Sequence, residues 1–157
     1  MDLHIDISKS NLAHVGKQLN NLLSDEFILY IKTLNYHWNL RGMQFHDLHA
    51  FFKDLYEKQL DFSDDVAERA RTMGAAAFGS AAEFLKHTHL KETPGVAHLT
   101  AEKMMKNLLA DHEAIIRLLR EYAALTLDYE DIGTNNFLID LMEKHEKVAW
   151  MLRTSVE

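Results

Sequence analysis

Apolar residues recur every third or fourth position over most of the chain. The first run carries Val15, Leu19, Leu22, Tyr30, Ile31 and Leu34 up to Trp38, and predicts one long helix capped by Ser8 or Ser10. Asn39 to Met43, holding Gly42, reads as a turn. The second run is the most regular: Phe45, Leu48, Phe52, Leu55, Gln59, Phe62, Val66, Arg69 and Met73 follow the alternating three-four spacing of a bundle seam, interrupted by Gln59 and Arg69. Gly74 ends it. The connection from Gly74 to about Thr100 is too long for a hairpin between antiparallel neighbours. Inside it, Ser80 and Glu83 form a capping box that predicts a short helix through His87, and Pro94-Gly95 breaks the chain again. A third long helix starts at Thr100 with the stripe Met105, Leu108, His112, Ile115, Leu119 and Tyr122. Asp128, Glu130, Asp131 and Gly133 make a loop, Thr134 is the expected cap of a fourth helix, and its stripe is Leu138, Leu141, His145, Val148 and Leu152. The expectation is one all-α domain over 1–157, a four-helix bundle with a short extra helix in the long crossover between helices two and three.

Composition narrows this picture. With 157 residues, 47% of them hydrophobic, the chain can bury one continuous core. One Pro and six Gly are too few turn-formers for a many-stranded fold, and the absence of Cys excludes disulfides and thiolate metal sites. Met1 to Ser10 holds no apolar stretch of the secretory kind, and no run approaches membrane-spanning length. A soluble, cytoplasmic protein is therefore expected. A net charge of −7 without a Lys/Arg-rich tail argues against contact with nucleic-acid phosphates and favours cations.

The candidate chemistry lies between His37 and Arg69. His37 and His49 offer imidazoles, and Asp64 and Glu68, four residues apart on one helix face, offer carboxylates, a donor set that suits a transition metal. His49 and Asp64 fall on the same predicted helix about 22 Å apart at 1.5 Å per residue, so one chain cannot bring them to one ion. Either a second chain completes the site or no site exists. Other residues carry plainer readings. His112 and His145, on the apolar stripes, read as hydrogen-bonded core histidines without a carboxylate at ligand spacing; His87, His89 and His98 read as exposed crossover residues, His46 as a surface residue, and Met104-Met105 as core. Trp38 is either core or the shield of a redox centre. No histidine has Glu three residues before it, which excludes the Glu-x-x-His arrangement of metal sites inside a bundle.

Three motifs, His37-Trp38-Asn39-Leu40-x-Gly42, Phe45-x-x-Leu48-His49 and Asp64-x-x-Ala67-Glu68-Arg69, resemble those of the Dps family, the miniferritins named as DNA-binding proteins from starved cells. The resemblance extends over nearly the whole chain, including the short crossover helix and Trp150. It implies a ferritin-like bundle that assembles into a hollow homo-oligomer of twelve subunits. Such shells oxidise Fe(II), preferentially with hydrogen peroxide, store Fe(III) inside and protect against oxidative stress. It further implies a ferroxidase site across a two-fold interface, with His37 and His49 from one subunit and Asp64 and Glu68 from the next; Zn suits the same ligands. The sequence departs from the family where an acid usually follows the second histidine by four residues: Lys53 stands there, and Asp54 is turned about 100° away around the helix. An ammonium at that point opposes a second cation and impairs the expected activity. The alternative is a shell with a degenerate iron site, acting in DNA compaction or as a structural stress-protective assembly. Asp128, Glu130, Asp131 and Asp140 are candidates for lining an iron pore.

Overall fold

Ser8, rather than Ser10, starts the first helix: its hydroxyl accepts a hydrogen bond from the Asn11 N–H at 3.1 Å. From there the structure, a computed structural model that describes residues 3–157, runs through α1 (Lys9–Asn39), α2 (Phe45–Thr72), α3 (Ala81–His87), a 3-10 turn (Val96–His98), α4 (Ala101–Asp128) and α5 (Ile132–Thr154), with no strand among the described residues. The four long helices are those expected from the spacing. α3 is the short crossover helix, and its Ser80–Glu83 capping box is formed in both directions.

α1 packs along α2, and α4 along α5, as two hairpins, with α1 also meeting α3 and α4. The predicted stripes are largely the buried faces: Leu19, Leu22, Phe52, Leu55, Leu108, Ile115, Leu119 and Leu138 lose essentially all contact with solvent, whereas Tyr30, Ile31, Leu34 and Leu48 are half-buried and Phe45 is exposed. Met104 and Met105 are core as expected. Two glycines set how the chain leaves α2. Gly74 takes φ +82°, a left-handed conformation that ends the helix. At Gly16 of α1 a Cβ would come within 2.6 Å of the Ala75 Cβ, so the exiting chain crosses α1 where a side chain is missing.

Buried polar groups fasten the crossover. The Asp25 carboxylate, 1% exposed, accepts from the Thr88 hydroxyl (2.7 Å) and the His89 and Leu90 amides (2.5 and 3.3 Å), and lies 2.8 Å from His89 Nδ1. Phe84 of α3 stacks on Phe27 of α1 at 4.4 Å between ring centroids. Asn20 adds a donor to the Ala76 carbonyl at 2.9 Å and an acceptor for the Phe78 N–H at 2.8 Å.

Thr134 does not cap α5. The cap is Asp131, whose Oδ1 accepts from the Thr134 N–H at 2.8 Å and whose other oxygen accepts from the Thr134 hydroxyl. A carboxylate outcompetes a hydroxyl for this position because it also answers Arg69, which donates to Asp131 Oδ1 at 3.2 Å and to Thr134 Oγ1 at 3.0 Å. Arg69 thereby ties the end of α2 to the start of α5, which accounts for a charged residue on the apolar seam. Asp131 is 2% exposed and fully engaged, so it is withdrawn from the group of acids available to line a pore.

Asp131→Ala removes a cap and strands a partly buried guanidinium, and is expected to destabilise the fold by about 2–4 kcal/mol. Chemical denaturation against Asp128→Ala, an exposed acid with an expected effect of less than about 0.5 kcal/mol, measures it.

Candidate metal centre

The tight turn between α1 and α2 brings the last turn of one helix against the first turn of the next, and so brings His37 and His49 together. Their rings stack with centroids 3.8 Å apart and planes 19° from parallel. Each is held by the other's backbone: His37 Nδ1 lies 2.8 Å from the His49 carbonyl, and His49 Nδ1 lies 3.1 Å from the His37 carbonyl. A carbonyl oxygen only accepts, so both Nδ1 atoms carry protons and both Nε2 atoms remain free to bind an ion. Orientation of a ligand ring by a backbone carbonyl is the usual support of a metal-binding histidine. Phe45 stacks on His49 (4.8 Å) and Tyr56 meets His37 edge-on (5.2 Å), walling the pair with aromatic rings. His37 is 8% exposed.

Asp64 and Glu68 lie on the same unbroken helix as His49, exposed, and their carboxylates make no hydrogen bond or ion pair among the described residues. The helix has no kink or interruption that could fold them back onto the histidines, and no group of three or more potential ligands converges on one point among the described residues. The chain therefore presents a pair of imidazoles and, apart from it on the same helix, a pair of exposed carboxylates. Lys53 is exposed and its ammonium lies 3.6 Å from Glu57, one turn farther along α2. Trp38 projects into solvent at 69% exposure beside His37, so it is not core. His46, His89 and His98 are exposed, whereas His87 is half-buried against Phe78 at 4.6 Å between centroids.

A second polar group lies inside the bundle. Glu26 of α1, Gln59 of α2, His112 of α4 and His145 of α5 are all at most 1% exposed. They form a chain: Gln59 Nε2 lies 3.4 Å from His112 Nε2, His112 Nδ1 lies 2.8 Å from His145 Nδ1, and His145 Nε2 lies 2.8 Å from Glu26 Oε1. Burial, reinforced by the charge on His145 when that ring is protonated, drives the His112 pKa well below its ordinary value of 6.5. His112 and His145 are thus hydrogen-bonded core residues, as the sequence implies, but His145 does have a carboxylate partner. It comes from another helix, where no spacing rule along α5 reveals it. Gln59, the polar break in the α2 seam, was its visible signal.

The chain has relatives of known class. Residues 16–157 match the family model of the ferritin-like domain. A low temperature-induced protein of Nostoc sp. is 40% identical over 156 residues, covering 99% of this chain and 87% of that protein. DNA protection during starvation protein 2 of Bacillus anthracis is 30% identical over 135 residues, covering 86% and 91% respectively. Among solved structures, the DPS protein of Vibrio cholerae O1, described as a member of a broad superfamily of ferritin-like diiron-carboxylate proteins, aligns with a TM-score of 0.93 at 27% identity over 100% of this chain and 98% of that one. DpsC from Streptomyces coelicolor aligns with a TM-score of 0.95 at 28% identity over 100% and 91%.

The depressed His112 pKa predicts how stability varies with pH. The unfolded chain binds a proton at this residue below about pH 6.5 while the folded chain does not, so the contribution is complete above that pH and is lost as pH falls toward the folded value. In the presence of a chelator, stability is expected to decline below pH 6.5 by up to about 1.4 kcal/mol per pH unit from this group, and His112→Gln should remove that share of the slope.

Proposed function

Because this chain belongs to the Dps family of ferritin-like proteins, we propose that it oxidises Fe(II), with hydrogen peroxide as preferred oxidant, and stores the ferric product in a closed shell of twelve identical subunits in the cytoplasm, protecting the cell against oxidative stress. No helix among the described residues is long and apolar enough to cross a membrane. The observation that carries the reading is the pair of anchored imidazoles where α1 turns into α2, with two uncommitted carboxylates farther along α2. A two-fold axis that sets the start of α2 against the middle of its partner's α2 would supply each pair with the other and create two equal sites. Exposed apolar side chains support burial of these faces: Met43 and Phe45 beside the imidazoles, and Leu60 one turn before Asp64.

In this site His37 and His49 would bind Fe(II) through Nε2, and Asp64 and Glu68 of the neighbouring subunit would balance its charge. Two Fe(II) ions each give one electron to a peroxide, whose O–O bond breaks; with two protons taken up it leaves as two waters. Storage inside the shell keeps the ferric product from precipitating. Removal of Fe(II) and peroxide together protects DNA without touching it. This agrees with a net charge of −7, although the Bacillus anthracis relative is named for DNA protection.

Lys53 limits the number of ions. Lys53 stands one helical turn from His49, and its single positive charge about 4 Å from a second, divalent Fe(II) would cost about 2–8 kcal/mol across effective dielectrics of 80 to 20. Glu57 offsets part of this, but the pair is loose at 3.6 Å with both partners about half exposed.

Sharing between chains is tested by co-assembly. His37→Ala and Asp64→Ala shells should each lose peroxide-dependent Fe(II) oxidation, whereas shells assembled from an equal mixture should regain about a quarter of the parental rate, since one site of each mixed pair is intact. A mixture as inactive as its components would refute a site made by two chains. Lys53→Asp is expected to bind more Fe(II) per subunit and oxidise it faster than the parent; unchanged stoichiometry and rate would remove Lys53 from the account. No retardation of duplex DNA is expected near neutral pH at physiological salt without a divalent bridge, and a gel shift under those conditions would contradict the charge argument.

A further inference from the structure

The buried chain of Glu26, His145, His112 and Gln59 is incomplete as a hydrogen-bond network. Five buried side-chain N or O atoms have no aligned hydrogen-bond partner among the described residues: Gln18 Oε1, both oxygens of Glu26, Gln59 Oε1 and His145 Nε2. Four of the five belong to this cluster. Glu26 and His145 approach to 2.8 Å, yet the geometry does not aim an N–H at the oxygen. A carboxylate at 0% exposure without an aligned donor is among the least favourable groups a core can hold. Neighbouring ligands of one ion likewise stand close without a shared proton: at about 2.0–2.2 Å from the metal they are about 3.0 Å apart at a right angle and about 3.4 Å apart at the tetrahedral angle, so this pair would open by a few tenths of an ångström on binding.

From this arrangement we infer that the interior of each subunit holds a metal site of its own, in which the Glu26 carboxylate and His145 Nε2 bind a divalent transition-metal ion. The inference is independent of the site between subunits and of what that site does. Imidazole and carboxylate are the donors such ions prefer, and a divalent charge would compensate the buried anion. The rest of the cluster supports the required protonation. With a bare Nε2, His145 carries its proton on Nδ1 and donates it to His112 Nδ1 across 2.8 Å. His112 then carries its own proton on Nε2, facing Gln59 at 3.4 Å, and a half-turn of that amide presents the unpartnered Oε1 as its acceptor. Every proton has a place, and the chain ends on a lone pair directed to the Glu26 side. His112 is therefore a positioning residue, acting on the ion through His145. The two donors come from different helices, Glu26 from α1 and His145 from α5, so this site does not use the Glu-x-x-His spacing absent from the sequence. The three titratable groups form a line rather than a ready-made cage.

Since the cluster is closed to solvent, the ion is best supplied while the chain folds. Protein expressed in zinc-supplemented medium, purified as the whole assembly and crystallised, should give an anomalous peak above the zinc edge, absent below it, within about 2.3 Å of Glu26 and His145. The His37→Ala/His49→Ala double variant, whose core is untouched, should keep this peak and about one Zn(II) per chain by metal analysis. Glu26→Gln in that background should lose both, and His112→Gln should weaken Zn(II) retention against a competing chelator by about 10- to 100-fold. A double variant with no zinc between Glu26 and His145 would overturn the inference even if Glu26→Gln failed to fold, as would a peak that survives Glu26→Gln. Loss of Fe(II) oxidation in the double variant with the core zinc retained would separate the two sites.

Discussion

A single unbroken helix imposes the main constraint on this molecule. α2 carries His49 near its start and Asp64 and Glu68 beyond its middle, and hydrogen bonding from each turn to the next fixes the carboxylates about 22 and about 28 Å from it at 1.5 Å per residue. No rotamer closes such a gap. The site proposed between chains thus depends on backbone geometry, and in that proposal assembly and chemistry become one property: the surface that presents the ligands would also be the surface that meets the partner. The exposed Met43, Phe45 and Leu60 beside the imidazole and carboxylate pairs fit the same requirement.

Within one chain, rigidity is concentrated where the proposed ligands would need it. His37 and His49 hold each other through reciprocal contacts between ring and backbone, so both rings are fixed by the turn that joins α1 to α2. Those bonds settle which nitrogen of each ring faces outward, the choice a metal ligand must have made before the ion arrives. The carboxylate half needs less preparation. Asp64 and Glu68 have flexible side chains on a rigid rod, and their spacing of four residues already places both on one face.

Most of the architecture was legible in the chain because its signals are local. Periodicity marks the four long helices, Ser80 and Glu83 mark α3, and Gly74 marks the end of α2. The failures share a different cause. Thr134 fits a helix start by residue type, but Asp131 caps the helix because Arg69, more than sixty residues earlier in the chain, also needs that carboxylate. Trp38 read as either core or the shield of a redox centre, and its exposure is decided by which face α1 turns outward near its end. Glu26 was invisible as a partner of His145, since the two meet only when α1 and α5 pack. Contacts made by packing leave no trace in spacing along one helix.

The buried polar layer also bears on why the helices align as they do. Apolar side chains are tolerant of sliding, since one leucine substitutes well for another across an interface. Glu26, Gln59, His112 and His145 are not interchangeable, and each comes from a different long helix. Displacing any one helix by a turn, about 5.4 Å, would leave a charged or hydrogen-bonding group facing hydrocarbon. The layer therefore penalises misalignment more strongly than the surrounding core does, even though it adds little to stability in the correct register. His37 and His49, by contrast, are placed by the α1–α2 turn and by their own ring-to-backbone bonds, so helix register deep in the bundle and the geometry of the histidine pair are set by separate contacts.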